Sequence, residues 1–321
     1  MRFDISNRTL YRFDGVVRES QNEVRTCPIS DARQHLIAYR LSLAPACRSL
    51  AFYDYWGTRV DAFGIREPHI SMEIVAEAAV ETSEAGPRPE PCVWEGLSDP
   101  TFRDLHLEYL ERTPHADWGD GVVAAGMEAR VGDNLVATII GIHDLVRERM
   151  SYETGSTHIG IDVEKVLSDG HGVCQDFAHL SVTICRSLGV PARYVSGYLF
   201  TASDETGEDT GDDVVDVETH AWFEAAIPGQ GWMAMDPTNG REVGPRHVKI
   251  GHGRDYDDVP PLRGSVSGEA GTEVETSVEI RRMDPSHQAT VVQPPLTHSD
   301  MEYSGFQPQQ QQQQQQDRSA G

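Results

Sequence analysis

Cys174, His220 and Asp236 have the side chains, and the order along the chain, that thiol-dependent amide chemistry requires. Cys174 follows a Gly-containing turn and begins a predicted helix, where free backbone N–H groups and the helix dipole favour a thiolate. The same N–H groups, including that of Cys174, could stabilise the oxyanion that forms when the sulfur attacks an amide carbonyl. His220 is the candidate base, and Asp236 is the candidate carboxylate that accepts its other ring N–H and fixes the tautomer.

A β-hairpin has to bring the base and the carboxylate together. If Ala226 pairs with Trp232 across the loop IPGQG, then Asp236 opposes Trp222 and lies on the same face as His220. Such diagonal neighbours are about 7–8 Å apart at Cα, which is within side-chain reach. A slip of one residue would put the two side chains on opposite faces of the hairpin.

The segments around these residues resemble the transglutaminase-like superfamily. The matching segments are GVCQDFAHL, RYVSGY, HAWFEA and GWMAMDPTNG. The resemblance implies an α+β fold whose papain-like core uses Cys174 as nucleophile, His220 as base and Asp236 as orienting carboxylate. It also implies an N-terminal β domain, as in the soluble bacterial members, and requires neither a metal nor a cofactor. The motifs do not fix a side-chain donor to the oxyanion; Tyr152 is the candidate, and a purely structural tyrosine is the alternative.

Hydrophobic patterning predicts the elements that position these residues. Partial alternation of aromatic and β-branched residues predicts strands at LYRFDGVV, QHLIAYRLSLA, LAFYDYW, RVDAFGI and SMEIVAEAAV. Helical spacing predicts helices at 102–110, at 133–149 with Asp133 or Asn134 as N-cap, and at 174–188. Strands are expected at 192–200 and 220–227, with more β structure after residue 245, including GSVSG and TEVETSVEIRR.

The predicted organisation has five parts, and the length of 321 residues is ample for more than one domain. They are an N-terminal β domain (1–93), a helical connector (94–130), the catalytic core (131–255), a C-terminal β extension (256–299) and a disordered Gln-rich tail (300–321). Gln309 to Gln316 in this tail are conceivable acyl donors to the protein's own active site.

The charge balance restricts the partners. Asp and Glu number 51 against 27 Lys and Arg, a net charge of −24. Such a chain repels phosphate backbones and anionic membrane surfaces, so no nucleic acid or membrane partner is expected, and a cationic or amine-bearing protein or peptide substrate is favoured. Residues 203–218 hold eight carboxylates and no basic residue. We predict a solvated loop there; the alternative is that it stabilises a His220 imidazolium or attracts the substrate.

The cysteines, the first residues and the spacing of His and Cys bear on the cellular compartment and on metal binding. The five cysteines lack paired spacing, and the first residues lack the apolar core of a signal peptide, so reduced thiols and a cytoplasmic location are expected. His171, Cys174 and His179 are close in sequence, but they lack the paired spacing typical of zinc sites. We therefore predict no metal.

The sequence thus favours an enzyme, a transglutaminase-like cysteine protease, amidase or acyltransferase, that works through a thioester. Water as acceptor would give peptide or isopeptide hydrolysis or deamidation of Gln, and an amine would give transamidation. Hydrolysis is favoured because transfer to an amine requires the exclusion of water. The competing hypothesis is a non-catalytic protein-binding scaffold, which would have no need of all three residues.

Overall fold

A computed structural model describes residues 1–84, 86–155, 160–201, 213–268 and 271–284. Its α-helices are α1 (Pro100–Leu105), α2 (Asp120–Ala129), α3 (Leu135–Arg149), α4 (Val163–Asp169) and α5 (Cys174–Ser187). Its strands are β1 (Arg2–Val17), β2 (Glu19–Val24), β3 (Gln34–Ala44), β4 (Ser49–Tyr53), β5 (Arg59–Ile65), β6 (His69–Thr82), β7 (Ser151–Tyr152), β8 (His171–Gly172), β9 (Ala192–Leu199), β10 (Val214–Val217), β11 (Thr219–Ile227), β12 (Gly231–Asp236), β13 (Arg241–Glu242), β14 (His247–Gly253), β15 (Leu262–Ser267) and β16 (Thr272–Arg282). The predicted α+β fold class is confirmed.

Two antiparallel sheets are built mainly from the N-terminal strands. Their orders are β10-β16-β1-β6-β3 and β15-β2-β5-β4, so the late strands β15 and β16 complete sheets begun by β2 and β1. Side chains of β1 alternate in burial, with Phe3 and Ile5 inward, as expected of a sheet with one covered face. They pack with Tyr198 of β9 and Val248 of β14, which joins the first of these sheets to a third sheet.

The third sheet has the order β13-β12-β11-β9-β14 and packs against α5. Along β11 the side chains of Ala221, Phe223 and Ala225 share a core with α5, whereas Trp222 belongs to a separate cluster. Each large apolar side chain buried in this way contributes about 1.5–3 kcal/mol. One face of β11 therefore packs against α5, and the other face carries His220.

The structure departs from the predicted elements in two places. The predicted helix 102–110 is α1 followed by a 3-10 turn, because the chain leaves the α conformation at His106, whose Nδ1 lies 2.8 Å from the Phe102 carbonyl oxygen. The acidic segment is not all loop: residues 214–217 form β10, which pairs with β16. Residues 202–212 and the tail 300–321 lie outside the described residues. Among the helices that are described, none is long and apolar enough to cross a membrane.

Candidate active site

The β11–β12 hairpin has the predicted register. Ala226 pairs with Trp232 and Phe223 with Met235. Asp236 therefore falls on the face of His220, and His220 Nε2 lies 2.9 Å from Asp236 Oδ2. The Asp236 side chain is fully buried, so its hydrogen bond to His220 is shielded from competing water.

Cys174 is the first residue of α5, and two hydrogen bonds between Val173 and Asp176 fix this end of the helix. The Val173 N–H donates to Asp176 Oδ2 at 2.8 Å, and the Asp176 N–H donates to the Val173 carbonyl oxygen at 2.8 Å. A Cβ on Gly172 would lie 2.7 Å from that carboxylate oxygen, so glycine is required before the cap. The N–H of Cys174 is left without an intrahelical acceptor, as expected at a helix start.

Cys174 and His220 meet at the bottom of one cavity. Cys174 Sγ lies 3.9 Å from the Thr219 carbonyl oxygen, and the thiol is near enough to His220 to contribute to the raised pKa of the imidazole. Because Nε2 of His220 is occupied by Asp236, the ring nitrogen that faces the thiol is Nδ1. Both residues line a cavity of about 690 Å³. The structure thus brings the three residues predicted from the sequence together.

The electrostatics favour a charged imidazole. Burial by itself would lower the pKa of His220, but the charge and hydrogen bond of Asp236, with the contact to Cys174, raise it to about 10. Burial would likewise raise the pKa of Asp236, yet His220 and hydrogen bonds hold it well below its ordinary value. These interactions therefore favour the protonated imidazole of His220 at neutral pH.

Two further residues hold Asp236, and sequence reasoning did not identify them. His247 Nε2 lies 3.0 Å from Asp236 Oδ2, and Asn239 donates to the same oxygen from Nδ2 at 2.8 Å. The Gly244 N–H donates to His247 Nδ1 at 3.2 Å, which places the proton of a neutral His247 on Nε2. Burial lowers the pKa of His247 despite the neighbouring carboxylate, so this ring stays neutral while His220 is charged.

Of these two residues, only Asn239 could have been identified from the sequence, because it lies three residues after Asp236 in the turn DPTN. Its N–H donates to Asp236 Oδ1 at 3.2 Å. His247 comes from β14, on the far side of β9, and no local sequence pattern predicts its contact with Asp236. Its ring packs edge-on against Trp222, with centroids 5.3 Å apart. Trp222 in turn lies over Gly197, where a Cβ would be 2.5 Å from the indole ring.

We expect His247→Ala to slow alkylation of Cys174 by iodoacetamide about tenfold, the effect of one lost hydrogen bond to a charged group. With only His220 and Asn239 left as donors, Asp236 is less firmly oriented towards His220. His247→Gln should recover most of the rate, because its amide N–H can donate to Asp236. Peptide mass spectrometry gives the rates, with the exposed His35→Ala as control. Equal rates in the Ala and Gln variants would contradict a positioning role.

Tyr152 lies at the rim of the Cys174 cavity. The parallel pair β7–β8 sets Tyr152 opposite Gly172, two residues before Cys174. The side chain is half exposed, and burial, Cys174 and Glu218 raise its pKa, so it remains a phenol that can donate. A role as oxyanion donor stays a prediction.

The zinc alternative does not assemble around Cys174. His179 is buried, accepts from the Tyr256 N–H at 3.2 Å, and stacks against His115 and Tyr194. Among the described residues, the ligand atoms of His220, Asp236 and His247 do lie within 4.8 Å of one another. Both imidazoles already direct Nε2 at Asp236, however, and a metal there would have to replace those hydrogen bonds.

Comparison with known proteins places this geometry in a family. Residues 123–237 match the family model of the transglutaminase-like superfamily, and residues 3–81 match that of the bacterial transglutaminase-like N-terminal region. An uncharacterized protein of Mycobacterium leprae is 34% identical over 282 residues, which cover 88% of this chain and 99% of that protein.

More distant similarities agree with this assignment. A protein-glutamine gamma-glutamyltransferase of Pseudomonas aeruginosa is 34% identical over 80 residues, 25% of this chain and 11% of that protein. A crystal structure of a protein from Cytophaga hutchinsonii superposes with a TM-score of 0.69 over 90% of this chain and 92% of that one, at 24% identity. The fold expected from the motifs is thereby confirmed, and the chain belongs to the transglutaminase-like superfamily.

Proposed function

We propose that the protein is a cysteine-dependent amide-bond enzyme that works through a thioester. The observation that carries the proposal is that Cys174 lines the same cavity as His220, whose ring is hydrogen-bonded to Asp236. A nucleophile, a base within hydrogen-bond reach and a group that orients the base are the parts that covalent amide catalysis needs. Family membership and a partial match to a protein named protein-glutamine gamma-glutamyltransferase support it.

The geometry supports the following sequence of bond changes. His220 takes the proton of Cys174, and the sulfur adds to the amide carbonyl carbon while the carbonyl oxygen becomes an oxyanion near the Cys174 N–H. The His220 imidazolium then gives its proton to the nitrogen as the C–N bond breaks, which leaves a thioester. Water, deprotonated by His220, attacks the thioester, and the thiol is restored with release of a carboxylic acid.

Hydrolysis is the preferred outcome in this proposal. A cavity of about 690 Å³ has room for water beside a substrate, and Tyr152 at its rim is half exposed. Transfer to an amine requires that water be kept from the thioester. Products decide the point: a cleaved peptide or released ammonia indicates hydrolysis, whereas a new amide on an added primary amine indicates transfer.

Alkylation of the cysteines tests whether the site is active. At about pH 6 we expect iodoacetamide to label Cys174 far faster than an ordinary thiol, and His220→Ala to slow this labelling about tenfold or more. Cys47 and Cys92 serve as internal references, because both thiols are partly exposed, as Cys174 is. If Cys174 reacts no faster than these thiols, the scaffold hypothesis gains and the enzyme proposal fails.

A further inference from the structure

A second cavity, of about 380 Å³, adjoins the one that contains Cys174. The two cavities share Glu218, Thr219 and Thr276 in their walls. The Thr219 carbonyl oxygen lies 3.9 Å from Cys174 Sγ, so the shared wall is next to the reacting sulfur. A substrate held at Cys174 can therefore extend a side chain into the second cavity.

The walls of the second cavity combine apolar and polar groups. Most of its lining is apolar or aromatic, from Tyr11, Val24, Ile74, Tyr256, Leu262 and Val274. Asn7 and Thr9 also line it, with side chains more than nine-tenths buried. The cavity suits a side chain with an aliphatic stem and a hydrogen-bonding end.

The charged residues that line the two cavities favour a positively charged group at the end of the bound side chain. Asp216 lines the first cavity and Glu218 lines both, while no Lys or Arg of the described ranges lines either. Glu218 is exposed and forms no ion pair within the described part of the chain. The long side chains of Lys and Arg carry a cation on an aliphatic stem, and the faces of Tyr11 and Tyr256 can accept such a cation.

An open strand edge provides a place for the backbone of the substrate. β1 pairs with β16 from Thr272 to Arg282, but β10 pairs with it only from Val278 to Arg281. In the described structure, residues 272–277 thus keep unpaired backbone groups on the β10 side. Thr276 and Ser277 point to opposite faces, yet both line the Cys174 cavity, which therefore opens onto this edge. An extended peptide can bind such an edge as an added strand.

We propose that the second cavity is the specificity subsite of the enzyme and binds a basic side chain of an extended substrate peptide. Glu218 is the carboxylate that pairs with the cation, and the free edge of β16 aligns the peptide so that its amide reaches Cys174. This assignment rests on the proposed function, because the peptide is taken to be the substrate.

Binding of synthetic peptides tests the subsite without catalysis. The full-length Cys174→Ala variant is titrated, at low salt, into fluorescein-labelled hexapeptides that contain one Gln and an Arg moved through the other positions. Matched peptides carry citrulline, which has nearly the shape of Arg but no charge. At one position we expect the Arg peptide to bind about tenfold more tightly, a preference that should shrink as salt is added.

Variants at the shared wall identify the carboxylate. Glu218→Gln should abolish the preference for Arg over citrulline, and Glu218→Lys should favour a peptide with Glu at that position. Glu148→Gln is the matched control, since Glu148 is also an exposed carboxylate but lies on α3 and lines neither cavity. The control should keep the preference.

The subsite and the enzyme proposal fail in different ways. Equal binding of Arg and citrulline peptides at every position, or a preference that survives Glu218→Gln, overturns the subsite. Wild-type protein is then incubated with the same peptides and analysed by mass spectrometry. Arg-dependent binding without any change in peptide or Cys174 would leave the subsite in place and refute the enzyme; turnover with no Arg preference would do the reverse.

Discussion

Asp236→Asn is expected to slow acylation of Cys174 by about 1,000- to 10,000-fold, the size of effect seen when a triad carboxylate is made neutral. Asp236 Oδ2 accepts hydrogen bonds from His220, His247 and Asn239. An Asn side chain can turn its amide N–H towards His220 Nε2, which then has to accept. The proton moves to Nδ1, and the nitrogen that faces Cys174 can no longer take a proton from the thiol.

The same variant should change the pH dependence of acylation. In the wild type the protonated imidazole supplies the proton to the leaving nitrogen, so acylation falls as pH rises through the His220 pKa of about 10. The charge of Asp236 is the main factor that raises this pKa against burial. Without it the folded-state pKa drops, and the alkaline decline should move to lower pH.

Single-turnover mass spectrometry with a Gln-containing peptide measures these rates as thioester formed on Cys174. Asp61→Asn is the matched control, because Asp61 is also a buried, ion-paired carboxylate but bonds Arg59 in β5, away from the Cys174 cavity. Its acylation rate should remain at the wild-type value, and circular dichroism should show both variants folded. A wild-type rate and pH profile in Asp236→Asn would mean that the carboxylate does not orient His220.

Local patterns were sufficient to predict the hairpin and the starts of α3 and α5. The register of β11 and β12 follows from alternation on both sides of a short Gly-containing turn, and one pairing, Ala226 with Trp232, fixes all others. The N-cap of α3 was restricted to two candidates, and Asn134 is the one whose side chain accepts from the Ala137 N–H. These features depend on residues near one another in the chain, so their patterns are visible in it.

Contacts between distant segments were not predictable in the same way. The alternation in β16 indicates a strand but cannot say that its partner is β1, some 270 residues earlier in the chain, where Phe3 pairs with Arg282. His247 reaches Asp236 only because β14 adds to the edge of β9. The acidic segment was predicted to be a loop because of its many carboxylates. Its short run VVDV nevertheless forms β10, because it pairs with β16. Each of these depends on tertiary pairing rather than on local preference.

A cluster of buried ions lies on the His220 face of β11, and its loss is expected to lower the free energy of unfolding. Glu224 binds Lys249 Nζ with its two oxygens at 2.8 and 2.9 Å, and Arg193 Nε at 2.6 Å. The Arg193 guanidinium also stacks on the Trp232 ring, 3.8 Å from its centroid. The three charged residues come from β11, β14 and β9, so the cluster joins the strands that hold His220 and His247.

Glu224→Gln is expected to lower the free energy of unfolding by about 3–5 kcal/mol near pH 6, because it leaves two buried cations without their carboxylate. Burial lowers the pKa of Lys249 and Glu224 partly restores it, to about 8. Without Glu224 this pKa falls further below its unfolded value of 10.5. The folded variant must then hold an unpaired charge at low pH, whereas at about pH 9 the amine is neutral in the fold and the loss should be smaller.

Urea unfolding followed by tryptophan fluorescence measures the difference at both pH values. Glu73→Gln is the control, since it breaks an ion pair with Arg8 in which both side chains are at least one-third exposed, and it should cost under about 1 kcal/mol. A small loss at both pH values would mean that packing, not charge, holds β14 against β9. A loss that shrinks as the pH rises would instead show that Glu224 stabilises the fold by compensating the charge of Lys249, whose backbone N–H and carbonyl oxygen are both bonded to Gln34, at 2.8 and 2.7 Å.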